Sequence, residues 1–302
     1  MLNFYNRTQT YLHKKQVTTM KKARLQLIIS MTIFGTIGIF TKFIPIPSAE
    51  IALYRAVLAM VLLTGYLFVT KMKFDFKAIK KDLPILALSG AAMGINWVLL
   101  FEAYKHTTVS NATLSYYFAP VLVTIVSPIL FKEKLTLKQI ICFVMSTVGL
   151  VMIIGVNTTG AGAGNLKGIL FGLGAACFYA TVILLNKCVK FVAGIQRTFL
   201  QFLAAIIVLV PYVLLSGPMQ VGTLQTVGFI NLLIVGFLHT GITYCLYFSS
   251  LKELPGQEVA ILSYIDPLVA VVASVVFLQE PFTALQIIGG ILIIGFSIWN
   301  ER

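Results

Sequence analysis

Long apolar stretches recur along the chain, and the short segments between them carry most of its charges. Because a hydrocarbon core about 30 Å thick needs about 20 residues of helix, each stretch is long enough to span a membrane. The pattern predicts ten transmembrane helices, at residues 25–44, 49–69, 83–104, 109–131, 137–156, 166–187, 194–215, 224–250, 256–278 and 284–299. The connections are short, so we expect helices adjacent in sequence to be antiparallel neighbours.

Composition identifies the lipid bilayer as the surroundings of these helices. Of the 302 residues, 58% are hydrophobic and 11% are charged, whereas a soluble domain has about a quarter of its residues charged. A water-soluble fold could not cover so much apolar surface. We therefore expect an all-α, multi-pass membrane protein.

Basic residues predict the orientation of the helices. Of the 23 Lys and Arg residues, 19 lie before the first predicted helix or in segments on the same side of the membrane. Lys42, Lys105 and Lys167 lie on the other side, and Arg55 lies within a helix. The positive-inside rule then places both termini in the cytoplasm, with the cell membrane as the expected location. The net charge of +13 comes from basic segments that would face the anionic lipids of the cytoplasmic leaflet. No nucleic-acid partner is therefore expected.

An internal repeat relates residues 101–140 to residues 248–287 at an offset of 147 positions. Its non-apolar matches are Lys105 with Lys252, Tyr117 with Tyr264, Pro120 with Pro267, Ser127 with Ser274, Glu133 with Glu280, Thr136 with Thr283 and Gln139 with Gln286. The offset maps helices three to five onto eight to ten. Each half then has five helices, and an odd number inverts one half relative to the other. Inverted repeats are typical of secondary transporters that bind their substrate near the membrane midplane.

The repeat predicts how the chain is divided. The expected parts are a basic cytoplasmic segment at 1–24, a first five-helix repeat at 25–156, a linker rich in glycine and threonine at 157–165, and a second five-helix repeat at 166–302. Met20, which precedes two lysines, is an alternative start to Met1.

The second half contains Tyr264-Ile265-Asp266-Pro267, then Phe277-Leu278-Gln279-Glu280, Gln286 and Gly289-Gly290. This run resembles the second-half signature of the EamA-like family, in the drug/metabolite transporter superfamily. A weaker version in the first half comprises Tyr117, Pro120, Glu133, Gln139 and Gly149. The resemblance implies a ten-helix inverted-repeat transporter with a central cavity, from a family whose members export or import amino acids and other metabolites. Phe34-Gly35 stands without the tryptophan that many members place beside it, so no role of that residue is transferred.

Asp266 is the most informative single candidate. It lies ten positions into the helix predicted at 256–278, which is about 15 Å along the axis and half of the hydrocarbon core. An ionised carboxylate at this depth costs at least about 2.5 kcal/mol, so it must be paired, hydrated or protonated. Three interpretations remain open: binding of an amine or other cation, proton coupling, and a structural hydrogen bond to a neighbouring helix.

Several polar aromatic and amide side chains fall at a similar depth. Such residues have little reason to face lipid there, and together they could enclose an organic ligand, with cation–π contacts to an amine. Interhelical packing is the alternative for each, and for His239 a satisfied core histidine. The candidate substrate-binding set is Asn96, Trp97, Tyr117, His239, Tyr244, Tyr264 and Asp266.

Two further pairs of residues are expected to affect how the helices contact one another and where they bend. Arg55 is expected to pair with Glu102, as a structural clamp or an outer gate rather than as a substrate contact. Pro120 and Pro267 remove helix hydrogen bonds, and they either expose carbonyl groups to a cavity or only kink their helices.

No metal site, cofactor site or catalytic motif is expected, because the chain has no HExxH, no paired aspartates and no phosphate-binding Walker loop.

The favoured function is secondary transport of a small organic metabolite by alternating access. An amino-acid-like or amine-bearing compound and export are favoured, with the protein acting as a monomer or homodimer. The alternative is an intramembrane enzyme or a channel acting on a small lipid-soluble substrate.

Overall fold

The structure is a computed structural model that describes residues 2–72, 74–132, 136–155, 162–251 and 253–301. Over these residues it is helical, with connecting turns and no strands. Glu133 and Lys252 of the repeat, and most of the predicted linker, lie outside the described residues.

Fourteen α-helices, one π-helix and one short 3₁₀ turn follow one another in the described part of the chain. The α-helices are α1 Leu2–Gly35, α2 Ile37–Lys42, α3 Ser48–Val69, α4 Phe76–His106, α5 Val109–Tyr116, α6 Ala119–Phe131, α7 Leu137–Gly155, α8 Gly162–Cys188, α9 Gly194–Ser216, α10 Thr226–Leu233, α11 Thr243–Leu251, α12 Gly256–Ser263, α13 Ile265–Phe277 and α14 Ala284–Glu301. The 3₁₀ turn is Val221–Thr223, and the π-helix Ile234–Ile242 joins α10 to α11.

Eight helical stretches in the described residues are long and apolar enough to cross a membrane. They are Thr19–Lys42, Ser48–Val69, Ile79–His106, Val109–Phe131, Asn165–Cys188, Gly194–Ser216, Thr226–Leu251 and Ala284–Glu301. Two further apolar helices, Leu137–Ile153 and Ile261–Phe277, are shorter. The expectation of an all-α membrane protein is confirmed.

Two of the predicted helices are broken at equivalent positions of the repeat. The first break is at Tyr117, between α5 and α6, and the second is at Tyr264, between α12 and α13. Pro120 is the second residue of α6 and Pro267 the third residue of α13. A proline is tolerated in the first turn of a helix because no intrahelical partner exists there for an N–H group. The breaks therefore expose helix ends in the interior of the bundle.

The π-helix is held by hydrogen bonds and by close packing. Thr240 Oγ1 donates to the Val235 carbonyl, five residues earlier, at 2.8 Å. Gly236 and Gly241 face α3 so closely that a Cβ atom at either position would lie 2.5 or 2.4 Å from a leucine side chain. The widened turn is thus pressed against α3, and π-helices are rare and often occur at functional sites.

Helix α4 packs against α8 and α9, and α3 packs against α9 and the π-helix. On the outside, large apolar side chains are exposed, with Phe68 85% and Leu215 88% accessible. Lipid solvates such side chains without the penalty that water would impose. The packing therefore leaves large apolar side chains on the outer surface, as a bilayer requires.

Helices α7 and α14 cross in direct backbone contact. A Cβ atom added to Gly149 would lie 2.6 Å from the Gly289 carbonyl oxygen, and one added to Gly289 would lie 2.5 Å from that of Gly149. Contacts this short require glycine on both helices.

Two faces of the bundle are defined by contacts between helix ends. On the face that we call the terminal face, Arg24 pairs with Glu258, and Asn300 Nδ2 donates to Thr124 Oγ1 at 2.9 Å. Asp82 also lies on this face and accepts hydrogen bonds from backbone N–H groups of the α8–α9 connection.

On the face that we call the opposite face, Lys42 Nζ lies 2.5 Å from Glu280 Oε1. There Glu50 accepts a hydrogen bond from the Gln220 backbone N–H at 2.9 Å. Residues 24 and 42 lie towards the two ends of the stretch Thr19–Lys42, and residues 258 and 280 flank the apolar helix Ile261–Phe277. Each stretch therefore crosses the bundle from the terminal face to the opposite face.

Candidate functional site

A cavity of about 130 Å³ lies at the centre of the bundle and is lined by residues from α1, α3, α4, α8 and α11 and from both broken helices. We call it the central cavity. Five of the predicted binding residues line it: Asn96, Trp97, Tyr117, Tyr244 and Asp266. The helix breaks at Tyr117 and Tyr264 position this set, because they place Tyr117 and Asp266 beside free helix ends.

Asp266 lies two residues after the break at Tyr264. Its Oδ2 accepts a hydrogen bond from the Tyr117 hydroxyl at 2.6 Å. No basic nitrogen in the described part of the chain lies within 4.0 Å of its carboxylate. Helix α1 approaches the same point, since a Cβ atom on Gly35 would lie 2.5 Å from the Asp266 carbonyl oxygen. The cavity thus contains a carboxylate with a single tyrosine partner.

Aromatic rings line the cavity on two sides. On one side the Tyr116 ring centroid lies 5.8 Å from that of Tyr117 and 5.2 Å from that of Tyr179. On the other side, Tyr244 lies edge-on to Phe34 at 5.2 Å. Aromatic faces carry negative potential that favours a cation. The arrangement can therefore hold an organic cation between rings and the Asp266 carboxylate.

Arg55 and Glu102 are not paired, contrary to the expectation from the sequence. Arg55 Nε donates to Thr240 Oγ1 on the π-helix at 2.6 Å, and the guanidinium lines the central cavity. Glu102 accepts instead from Ser48 Oγ at 2.6 Å. Because Ser48 and Arg55 are seven residues apart on α3, the two sites are separated by about 10 Å along the axis.

Three of the predicted residues either are already bonded to another helix or lie outside the central cavity. Asn96 lines the cavity, but its amide already donates to the Ala175 carbonyl at 2.7 Å and joins α4 to α8. Tyr264 lines a neighbouring cavity, with its ring 6.3 Å from that of Tyr117. His239 lies outside the central cavity, where its Nε2 is 2.9 Å from Thr36 Oγ1.

Tyr179 lines the central cavity and was not predicted as a binding residue. It lies near the middle of α8, so the criterion that selected Tyr117 and Tyr244, a polar aromatic residue at midplane depth, would also have selected it. No feature of the sequence indicated that Arg55 lines the cavity, because the orientation of its side chain depends on a contact with the π-helix.

A family model described as the EamA-like transporter family matches residues 21–155 and 166–300. The chain belongs to the EamA-like transporter family. The resemblance found in the sequence is confirmed, and the protein is a membrane transporter of small solutes.

Similar proteins agree with this assignment. "Uncharacterized transporter YxxF" of Bacillus subtilis is 31% identical over 261 residues, which cover 84% of this chain and 81% of the relative. "Uncharacterized transporter YojE" of the same organism is 25% identical, with 87% and 88% covered. A solved structure titled "Crystal structure of protein" superposes with a TM-score of 0.62 at 15% identity, covering 91% of this chain and 95% of that one. The last similarity concerns the fold alone.

Two further cavities of the transporter adjoin the central one, and we call them together the vestibule. They have volumes of about 520 and 280 Å³ and share Tyr117, Tyr179 and Asp266 with the central cavity. One of them extends to Lys187 and Asn300 at the terminal face. Asp266 is therefore reached from the terminal face.

The opposite face of the transporter is closed by a polar cluster around Glu280. The Glu280 carboxylate accepts from the Val109 backbone N–H at 2.8 Å and from the Ser274 hydroxyl, in addition to its ion pair with Lys42. A depression on this face and the central cavity share Tyr104 in their linings. Tyr104 therefore forms part of the barrier between the centre and this face.

Proposed function

We propose that the protein is a secondary transporter of a small organic metabolite that carries an amine, and that it works by alternating access. The observation that carries the proposal is the Asp266 carboxylate, which stands in a central cavity with one tyrosine as its hydrogen-bond partner. Charged groups at membrane depth are costly and mark substrate or ion pathways. A protonated amine would neutralise this carboxylate, and the surrounding rings would add cation–π contacts.

The proposed architecture is a pair of inverted five-helix repeats, ten helices in all. The two family-model matches, 21–155 and 166–300, have equal lengths. The helix breaks at Tyr117 and Tyr264 are separated by the repeat offset of 147 positions, as two copies of one five-helix unit would produce. In such transporters the halves rock around a fixed site at the midplane.

In the proposed cycle, the site opens alternately to the terminal face and to the opposite face. In this structure the vestibule leads to the terminal face, and the Glu280 cluster closes the opposite face. We assign the terminal face to the cytoplasm because the basic residues concentrate there. Export is the direction that we favour, since in this state the cavity can take up a solute from the cytoplasm.

Proton coupling is part of the same proposal. The Asp266 carboxylate can hold either the amine or a proton, and occupancy by one excludes the other. A proton arriving from outside would then release the amine, and the protonated carboxyl would keep its hydrogen bond to Tyr117. This exchange needs no second carboxylate in the cavity.

Transport in proteoliposomes tests the proposal. The purified protein is reconstituted and assayed for counterflow of the standard amino acids and of the amines derived from them by decarboxylation. At least one amine-bearing compound is expected to accumulate, with its efflux stimulated by an opposing proton gradient. Failure of the whole panel would contradict the amine assignment. Chemical conversion of a compound by the detergent-solubilised protein, where no gradient exists, would favour an intramembrane enzyme.

Replacing Glu280 by glutamine is expected to open the opposite face. The glutamine keeps the size of the side chain and removes the charge that Lys42 and the Val109 N–H contact. Each charge-assisted hydrogen bond is worth roughly 1.5–3 kcal/mol, so the ratio of the two states should shift by about tenfold or more. A cysteine replacing Thr41, which lines the depression on this face, should react faster with a polar maleimide.

Glu253→Gln is the control for this experiment, because Glu253 is an exposed acidic residue in the turn between α11 and α12. It should leave the labelling rate unchanged. An equal rate in Glu280→Gln and the unaltered protein would show that the cluster does not hold the face closed.

A further inference from the structure

We propose that Arg55 is an anion-binding residue of the central cavity and that the transported solute carries a carboxylate as well as an amine. This inference rests on the proposed function, in which Asp266 binds the amine. The deciding juxtaposition is a buried guanidinium and a carboxylate that line one cavity without contacting each other.

The guanidinium of Arg55 is oriented by its neighbours. The side chain is 4% exposed, and its Nε donates to Thr240 Oγ1, whose own hydroxyl proton goes to the Val235 carbonyl. The rings of Trp97 and Phe101 lie 4.7 and 5.5 Å from the guanidinium carbon. Because the Nε is already occupied, the terminal nitrogens form the edge of the guanidinium that is left for a ligand.

The charge of Arg55 is not balanced by an acidic residue. No carboxylate in the described ranges of the chain lies within 4.0 Å of it. A buried and unpaired charge is costly, whereas a planar guanidinium matches the two oxygens of a carboxylate. By comparison, Arg24 and Lys42 both have carboxylate partners at the faces of the bundle. The carboxylate that would balance Arg55 must therefore be supplied by the solute.

Two further basic residues line the vestibule. Lys187 Nζ donates to Ser127 Oγ at 2.9 Å in the larger of its two cavities. Arg197 lines the smaller one, and its buried Nε has no hydrogen-bond partner. The larger cavity is also lined by Asp266 and Glu301, so the vestibule carries charges of both signs. The route from the terminal face therefore offers a counter-charge to each end of a zwitterionic solute.

The solute that would balance the charges of both Arg55 and Asp266 is a small zwitterion. Its carboxylate would contact Arg55 and its ammonium group Asp266, and Tyr104 and Tyr244 line the same cavity as these two residues. A simple amine would leave Arg55 without a counter-charge. A simple acid would leave Asp266 without one. The pair therefore selects against solutes that carry only one charge.

Tryptophan fluorescence of the full-length protein in detergent tests this inference. The chain has two tryptophans, and Trp299→Phe leaves Trp97, which contacts Arg55, as the reporter. Each standard amino acid is titrated beside its α-amide, its decarboxylated amine and its deaminated acid. At least one amino acid should bind, and its amide and amine should bind about tenfold or more weakly, because a charged hydrogen-bond partner is lost.

Variants connect this preference to Arg55. Arg55→Gln should bind the amino acid and its amide equally, and Arg55→Lys should keep a reduced preference for the acid. Lys77→Gln, which removes an exposed positive charge outside the cavities, should behave like the unaltered protein. The comparison of acid with amide on the unaltered protein remains decisive if Arg55→Gln does not fold.

The outcomes separate the two proposals. If the amine or the amide binds as tightly as the amino acid, the inference about Arg55 is overturned and the amine assignment stands. If only the deaminated acids bind, Arg55 keeps its role and the amine assignment fails. If no compound changes the Trp97 signal, both are overturned.

Discussion

Replacement of Asp266 by asparagine is expected to abolish transport while the protein still folds. Asparagine has the same shape, and its carbonyl oxygen can still accept the hydrogen bond from the Tyr117 hydroxyl. It cannot hold an ammonium group by charge or exchange it for a proton. Losing a charge-assisted contact of roughly 1.5–3 kcal/mol lowers affinity about tenfold to a hundredfold, and loss of the proton-binding group removes coupling altogether. Counterflow and gradient-driven efflux in proteoliposomes measure the two effects.

Two control variants test whether the loss of transport is specific to the charge of Asp266. Tyr117→Phe keeps the carboxylate and removes its hydrogen-bond donor, so transport should fall only several-fold. Glu258→Gln neutralises a carboxylate at the terminal face and should leave transport close to that of the unaltered protein. Uptake or efflux by Asp266→Asn at the unaltered rate would remove the observation on which the proposed function depends.

Replacement of Gly289 by leucine is expected to destabilise the protein by forcing α7 and α14 apart. The first carbon of the new side chain would lie 2.5 Å from the Gly149 carbonyl oxygen. Backbone cannot yield as a flexible side chain does, so α7 and α14 must separate along their length. Overpacking of a tight interior costs about 1–3 kcal/mol and sometimes more. The melting temperature in detergent and the yield of monodisperse protein are expected to fall together.

The matched control is on the same helix. Gly295→Leu adds the same side chain at an exposed position where nothing lies within 4 Å of the new Cβ atom, so it should change the melting temperature little. If Gly289→Leu and Gly295→Leu melted together, the close crossing of α7 and α14 would not contribute to stability as described.

Apolar patterning was sufficient to predict the helical class and the membrane environment. Both properties depend on the length and composition of local segments, because the bilayer demands about 20 apolar residues per helix whatever the fold. Counting residues at 1.5 Å each predicted that Asp266 lies halfway along its helix, and the structure places it in the lining of the central cavity. For the same reason, five of the seven predicted binding residues line the central cavity.

The partners of individual side chains did not follow from depth. His239 is at a similar depth to the cavity residues but contacts Thr36 at the break between α1 and α2. Depth along a helix states how far a residue lies from the membrane surface. It does not state which direction the side chain faces, because that depends on the rotation of the helix against its neighbours.

What the sequence determined by itself was the all-α membrane class, the succession of apolar stretches, the repeat offset and the family signature. Only the tertiary structure showed that Arg55 lines the cavity and contacts Thr240 instead of Glu102. That contact depends on the π-helix at Ile234–Ile242, where one turn is widened against α3. A π-helix has no local sequence pattern comparable to apolar periodicity, since its stability comes from packing between helices distant in sequence.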